Sequence, residues 1–120
     1  MKRFLFLLFL IAGCSNISIN TSAFDSSKLA AENSVKNSET YKFDGLAESL
    51  KYTGYDQLEC SNCYRFRYEY DSSQTGYGNR EGKMLAQVIT HHVMLVIVEN
   101  RQVTSVIADN KWDEINQKEI

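Results

Sequence analysis

The stretch Tyr64-Arg65-Phe66-Arg67-Tyr68-Glu69-Tyr70 decides the fold class. Aromatic residues occupy every second position and charged residues the positions between them. That is the period of a β-strand, in which successive side chains leave on opposite faces. The aromatic side must be covered by another element, and the charged side must face water or a partner. Downstream, Val93-Met94-Leu95-Val96-Ile97-Val98 is apolar at every position and reads as the end of a central strand running from about Leu85. Between these strands, residues 71–83 read as a glycine-bearing loop, with Gly76-Tyr77-Gly78 as a mobile hairpin connection. Glu99 to Gln102 makes a tight turn, and Val103 to Ala108 returns as the next strand.

Helices are expected at either end of this sheet. Phe43, Leu46, Ala47 and Leu50 follow the i, i+3, i+4, i+7 spacing of an amphipathic helix, with Asp44 as its cap and Gly54 near its stop. Asn110 is placed to cap a short C-terminal helix carrying Trp112 and Ile115. The expected fold is α+β: a three- to four-stranded antiparallel meander with one or two short helices packed on one face, in a domain spanning residues 41–120.

The N-terminal end carries a different message. Lys2 and Arg3 precede an unbroken apolar run, Phe4 to Ile11, in the order of a secretory signal peptide. The run is far short of the roughly 20 apolar residues a spanning helix needs. Ile11-Ala12-Gly13-Cys14 resembles the lipobox of bacterial lipoproteins, in which an aliphatic and two small residues precede an obligatory cysteine. That resemblance implies removal of residues 1–13 and attachment of lipid to Cys14. Ser15, rather than an aspartate, follows the cysteine, which by the sorting pattern of enteric bacteria implies the outer membrane, facing the periplasm. Residues 14–40 are rich in Ser, Asn and Thr and read as a flexible tether, with a helical turn or two within Ser27 to Val35.

Charge and cysteine usage narrow the function. The chain holds 120 residues, with 13 Lys+Arg against 15 Asp+Glu. Without residues 1–13, 11 basic residues face 15 acidic ones, a formal charge of −4. That sign disfavours nucleic acid as a partner. With Cys14 assigned to lipid, Cys60 and Cys63 remain as an even pair, which favours a disulfide in an oxidising compartment. The spacing Cys60-Ser61-Asn62-Cys63 leaves two alternatives open. One is a redox pair of thioredoxin type, which needs a following helix to depress the thiol pKa. The other is a metal site completed by His91 or His92, of which adjacent strand positions let one join easily. Tyr64 rather than a histidine follows Cys63, so covalent haem attachment is excluded. Ser72, Ser73 and His91 lack the context of a nucleophile elbow, and Gly76-Tyr77-Gly78 is too short for a phosphate loop. Arg65, Arg67 and Glu69 form a candidate partner surface. No catalytic set and no cofactor are expected.

Tyr64-Arg65-Phe66-Arg67-Tyr68 and Val96-Ile97-Val98-Glu99-Asn100-Arg101-Gln102-Val103, followed by Trp112-Asp113-Glu114-Ile115, resemble a domain family of unknown function among small bacterial secreted and lipid-anchored proteins. The family carries its cysteines after the first strand, whereas Cys60 and Cys63 precede it. The functional expectation is an envelope lipoprotein that binds or scaffolds a protein partner. The alternatives are an inhibitor of a secreted hydrolase and a redox or metal-binding protein.

Overall fold

The computed structural model describes residues 22–120; Cys14, the lipobox and residues 15–21 lie outside them. Six strands form one antiparallel sheet in chain order: β1 (Lys51–Gln57), β2 (Cys63–Ser72), β3 (Thr90–Glu99), β4 (Gln102–Ala108), β5 (Trp112–Asp113) and β6 (Lys118–Glu119). Among the described residues, two helices, α1 (Ala23–Lys36) and α2 (Glu39–Asp44), and a 3₁₀ turn at Ala47–Ser49 precede the sheet. The architecture is α+β, an antiparallel meander with helices.

The alternation in β2 is realised as read. Phe66, Tyr68, Tyr70 and Ser72 are buried on one face, while Arg65, Arg67 and Glu69 lie on the other. Opposite them, Met94, Val96 and Val98 of β3 complete the buried face, with Val106 and Ala108 of β4. The β3–β4 connection is a two-residue turn in which Asn100 (φ 51°) and Arg101 (φ 67°) are both left-handed, the hairpin geometry that matches strand twist.

What covers the aromatic face is α1, made from residues expected as tether. Ser22 caps it, its hydroxyl accepting from the Asp25 N–H at 3.1 Å. Ser27, Ala31 and Val35, spaced i, i+4, i+8, make a buried stripe. Their small size lets the helix axis approach the sheet, and the aromatic rings of the strands fill the remaining volume. Phe24 sets its ring against Tyr55, Tyr64 and Phe66 at centroid distances of 4.7, 5.3 and 5.6 Å. The Tyr68 hydroxyl donates to the Lys28 carbonyl at 3.2 Å. Ala31 and Val35 of α1 therefore share one core with the sheet.

Two expected helices are replaced. Over residues 43–50 the chain leaves α2 at Gly45, whose backbone is extended (φ −64°, ψ 136°) and bridges to Ser72. A Cβ at Gly45 would stand 2.5 Å from the Tyr41 ring. The Leu46 N–H then donates to the Asp71 carbonyl, so this segment is drawn to the end of β2 instead of continuing as helix. α2 is capped by Ser38, its hydroxyl accepting from the Tyr41 N–H, rather than started by Asp44. At the C-terminal end, Asp109 and Asn110 are both left-handed (φ 53° and 58°), a conformation their side chains tolerate, and they reverse the chain into β5. The Asp113 carboxylate then accepts the N–H groups of Ile115 and Asn116, which closes the turn into β6. This terminal hairpin accounts for the strands beyond the expected three or four.

The first half of the connection between β2 and β3 is held by a buried arginine. Arg80 is 2% exposed. Its guanidinium pairs with Asp44 at 2.8 Å and donates to the carbonyls of Thr40, Thr75, Gly76 and Gly78 at 2.9–3.1 Å.

Candidate functional site

Among the described residues, the helices cover one face of the sheet and leave the other open. Antiparallel register sets what the open face presents. Arg65 sits opposite Asp56 of β1 and Ile97 of β3, Arg67 opposite Leu95, and Glu69 opposite Val93. The result is an apolar strip (Val93, Leu95, Ile97 and Ile107), each residue half-buried by its neighbours, with charged groups along its β1 and β2 side. Leu95, Ile97 and Ile107 line a shallow depression of about 260 Å³, bounded by Arg65, Ser105, Asn110 and Ile120. β1 is bulged between Tyr52 and Gly54, and Gly54 (φ 141°) presents no side chain there, which opens the face beside Arg67.

The charges on this face are matched within the chain. Arg65 binds Asp56 at 2.8 Å, and Arg67 reaches Glu69 at 3.4 Å. His91 bridges two carboxylates, Nδ1 to Asp71 and Nε2 to Glu69, both at 2.8 Å. The hydrogen bond to Asp71, followed by that to Glu69, holds the His91 imidazolium above its ordinary range. Glu69 is correspondingly held below its own, chiefly by the His91 bond. Such exposed pairs contribute little stability. Their effect is to leave the rim beside the apolar strip locally neutral.

The remaining sequence candidates fall elsewhere. Cys60 and Cys63 form a disulfide, with Cα atoms 5.2 Å apart, in the turn between β1 and β2. The Gln57 side-chain amide donates to the carbonyls of Cys60, Ser61 and Cys63, fixing that turn. The pair leads into a strand and has a carboxylate, Glu99, within 4.8 Å of its sulfurs. A carboxylate disfavours a nearby thiolate, the opposite of the field that a redox motif of this spacing draws from a helix N-terminus. The four-residue metal set of Cys60, Cys63, His91 and His92 is not assembled. Cys63 pairs with Glu99 at one end of β3, while His91 stands opposite Asp71 at the other, roughly 26 Å away at ~3.3 Å per residue.

His92, one position on, faces the core. Its Nε2 lies 3.1 Å from the Ser72 hydroxyl and its Nδ1 2.7 Å from Asp109 Oδ2. Asp109 also accepts from the Tyr77 hydroxyl at 2.9 Å and the Val93 N–H at 2.7 Å. Burial alone would raise the Asp109 carboxyl; the bonds from His92, Val93 and Tyr77 outweigh it and hold the group below its ordinary value. Burial, then the Asp109 bond, pushes Tyr77 up to about 12. Acid, imidazole and hydroxyl stand in the order that activates a catalytic serine. Ser72, however, is fully buried and donates to the Gln74 carbonyl at 2.9 Å. The group works as a bracket joining the end of β2, the start of β3, the β4–β5 turn and the loop at Tyr77. No local signal marks it, because Ser72, His92 and Asp109 are 20 and 17 residues apart. Serine reading with His91 instead of His92 misses it by one strand position.

Comparison with protein-family models, curated proteins and solved structures finds no match to this chain.

Proposed function

We propose that this chain is a lipid-anchored protein of the bacterial envelope whose domain binds a protein partner on its uncovered sheet face. The observation that supports binding is the asymmetry of the sheet. One face is closed by α1, whereas the other leaves Val93, Leu95, Ile97 and Ile107 beside Arg65, Arg67 and Glu69 with no element across them among the described residues. An apolar strip with a locally neutral polar rim suits a protein surface: the strip supplies area to desolvate, and the rim orients the contact. The Cys60–Cys63 disulfide serves here as a staple for the β1–β2 turn.

The anchor rests on the sequence reading of residues 1–14. Because α1 packs on the sheet, only residues 15–21 separate Cys14 from Ser22, a reach of at most about 29 Å fully extended. The partner is then met close to the membrane, on the periplasmic side of the outer membrane. Two measurements test the proposal separately. Cys14→Ser, expressed in a bacterium, should leave the membrane fraction; continued membrane partitioning without accumulation of precursor contradicts the anchor. Leu95→Lys should abolish partner recovery without changing partitioning; undiminished recovery contradicts the face.

A further inference from the structure

Three side chains able to ligate a metal converge where the β1–β2 turn meets the β3–β4 hairpin. Cys60 and Cys63 lie at the turn before β2, and Cys63 pairs across the ladder with Glu99, the last residue of β3. Residues directly opposite in an antiparallel pair present their side chains on the same face. The two sulfurs and a Glu99 carboxylate oxygen all lie within 4.8 Å of one another. Cys63 is buried, whereas Cys60 and Glu99 are exposed, so the cluster is open to solvent on one side. The cysteine spacing alone pointed to His91 or His92 to complete a metal site; the register of the ladder supplies Glu99 instead.

The sulfurs are held together by more than their mutual bond. The Gln57 amide donates to the carbonyls of Cys60, Ser61 and Cys63. The Cys63 N–H donates to the Cys60 carbonyl at 3.2 Å and the Leu58 N–H to the Cys63 carbonyl at 2.9 Å. The Asn100 N–H donates to the Asn62 carbonyl at 3.1 Å, which ties the hairpin that carries Glu99 to the same turn. None of these bonds involves sulfur, so turn and carboxylate keep their places when two thiols replace the disulfide. Beside a carboxylate those thiols hold their protons. A divalent cation reverses that preference, because it displaces the protons and is bound by the thiolates. Two thiolates and a carboxylate, with a fourth position open to water, suit zinc. Monovalent copper would take the soft thiolates alone and make no use of Glu99.

We propose that Cys60, Cys63 and Glu99 of the reduced chain bind one zinc ion, and that formation of the disulfide releases it. On binding, the two thiols pass two protons to water, and the thiolates and the Glu99 carboxylate coordinate Zn²⁺. On release, the two thiolates give two electrons to a disulfide oxidant, which takes up two protons and leaves as a dithiol. The Cys60–Cys63 bond forms and Zn²⁺ departs. The turn is then stapled in both states, by metal before oxidation and by sulfur after it. Neither the lipid anchor nor the uncovered sheet face enters this site, and both readings stand if it fails.

The full-length chain carrying Cys14→Ser, held in detergent, tests it with Cys60 and Cys63 as its only cysteines. A phosphine reduces the pair, taking its oxygen from water and adding no competing thiolate, and cobalt(II) is then titrated without air as a spectroscopic stand-in for zinc. One equivalent of cobalt should give thiolate-to-metal charge-transfer absorption, one equivalent of zinc should abolish it, and the chain with its disulfide intact should show none. Glu99→Gln should weaken zinc binding at least about tenfold, since even a group behind a ligand costs that much when lost. His91→Ala should bind as the parent does. Circular dichroism and Trp112 fluorescence of the reduced parent and of Glu99→Gln report whether the sheet persists. Absence of the charge-transfer band, affinity unchanged by Glu99→Gln, binding with the disulfide intact, dependence on His91, or loss of the sheet on reduction would each overturn the proposal.

Discussion

Replacing Arg80 by alanine should be the most damaging single change in the loop between β2 and β3. The guanidinium makes one charged contact, to Asp44 at 2.8 Å, and four hydrogen bonds to the carbonyls of Thr40, Thr75, Gly76 and Gly78. It also stacks on the Phe43 ring at 4.7 Å. Removing it leaves Asp44 buried without its counter-charge and four carbonyls without that donor. Breaking a buried pair from one side costs about 3–5 kcal/mol. For a domain of this size each kcal/mol lowers Tm by about 4–8 °C, so the expected drop is roughly 12–40 °C. Trp112 provides the readout, because it stacks on Tyr77 of the same loop at 5.7 Å with planes 8° apart. Urea denaturation of the wild type, Arg80→Ala, Asp44→Asn and the double variant closes a cycle. The double variant should lose much less than the sum of the two single losses, since each single variant strands its partner. A loss below about 1 kcal/mol for Arg80→Ala, or strict additivity, would refute the claim that this pair pins the loop.

Other consequences follow from the same contacts. Asp109 titrates below its ordinary 3.8, so the stability it contributes is complete above that pH and is lost as pH falls through the lower folded value. Asp109→Asn should therefore lower the urea midpoint at neutral pH and flatten its decline below about pH 4, whereas an unchanged acid limb would contradict the assignment. His91 titrates above 6.5, and Asp71→Asn should bring its NMR titration downward. Its stabilising effect is present below 6.5 and fades as pH rises through the raised value, but half-exposure keeps it small. Opening the Cys60–Cys63 bond should cost about 2 kcal/mol, the chain-entropy value for so short a loop, with the sheet retained in circular dichroism. Deleting residues 22–37 uncovers Met94, Val96 and Ala108 and should prevent folding; a cooperatively folding chain without them would show that α1 is dispensable.

Much of the sheet could be read from residues 64–108 because strands there carry strong local patterns. β2 alternates without a break, β3 is apolar on both sides, and Asn100-Arg101 can adopt the left-handed turn between two valine-rich runs. α1 escaped because its buried stripe is made of Ser27, Ala31 and Val35, residues with little hydrophobic weight. The bulk that completes the core is supplied by Phe66, Tyr68 and Tyr70 of the facing strand, and periodicity in the helix alone does not reveal it. The spacing of Phe43, Leu46, Ala47 and Leu50 misled for the complementary reason: tertiary pairing of Gly45 and Leu46 with the end of β2 overrides a weak local helix. Candidate surface residues Arg65, Arg67 and Glu69 were legible because alternation assigns them a face. The apolar half of that face was less so, since a fully apolar β3 does not say which side is left bare. The Ser72, His92 and Asp109 bracket depends on register between distant strands, and register is set by the folded sheet.

Site-specific photo-crosslinking in cells tests the binding account most directly. A photoreactive side chain at position 67 or 95 of the uncovered face should yield one discrete protein adduct, while the same group at Lys28, on α1 over the opposite face, should not. Equal adducts from both faces, or none from positions 67 and 95, would contradict the uncovered sheet face as the binding surface.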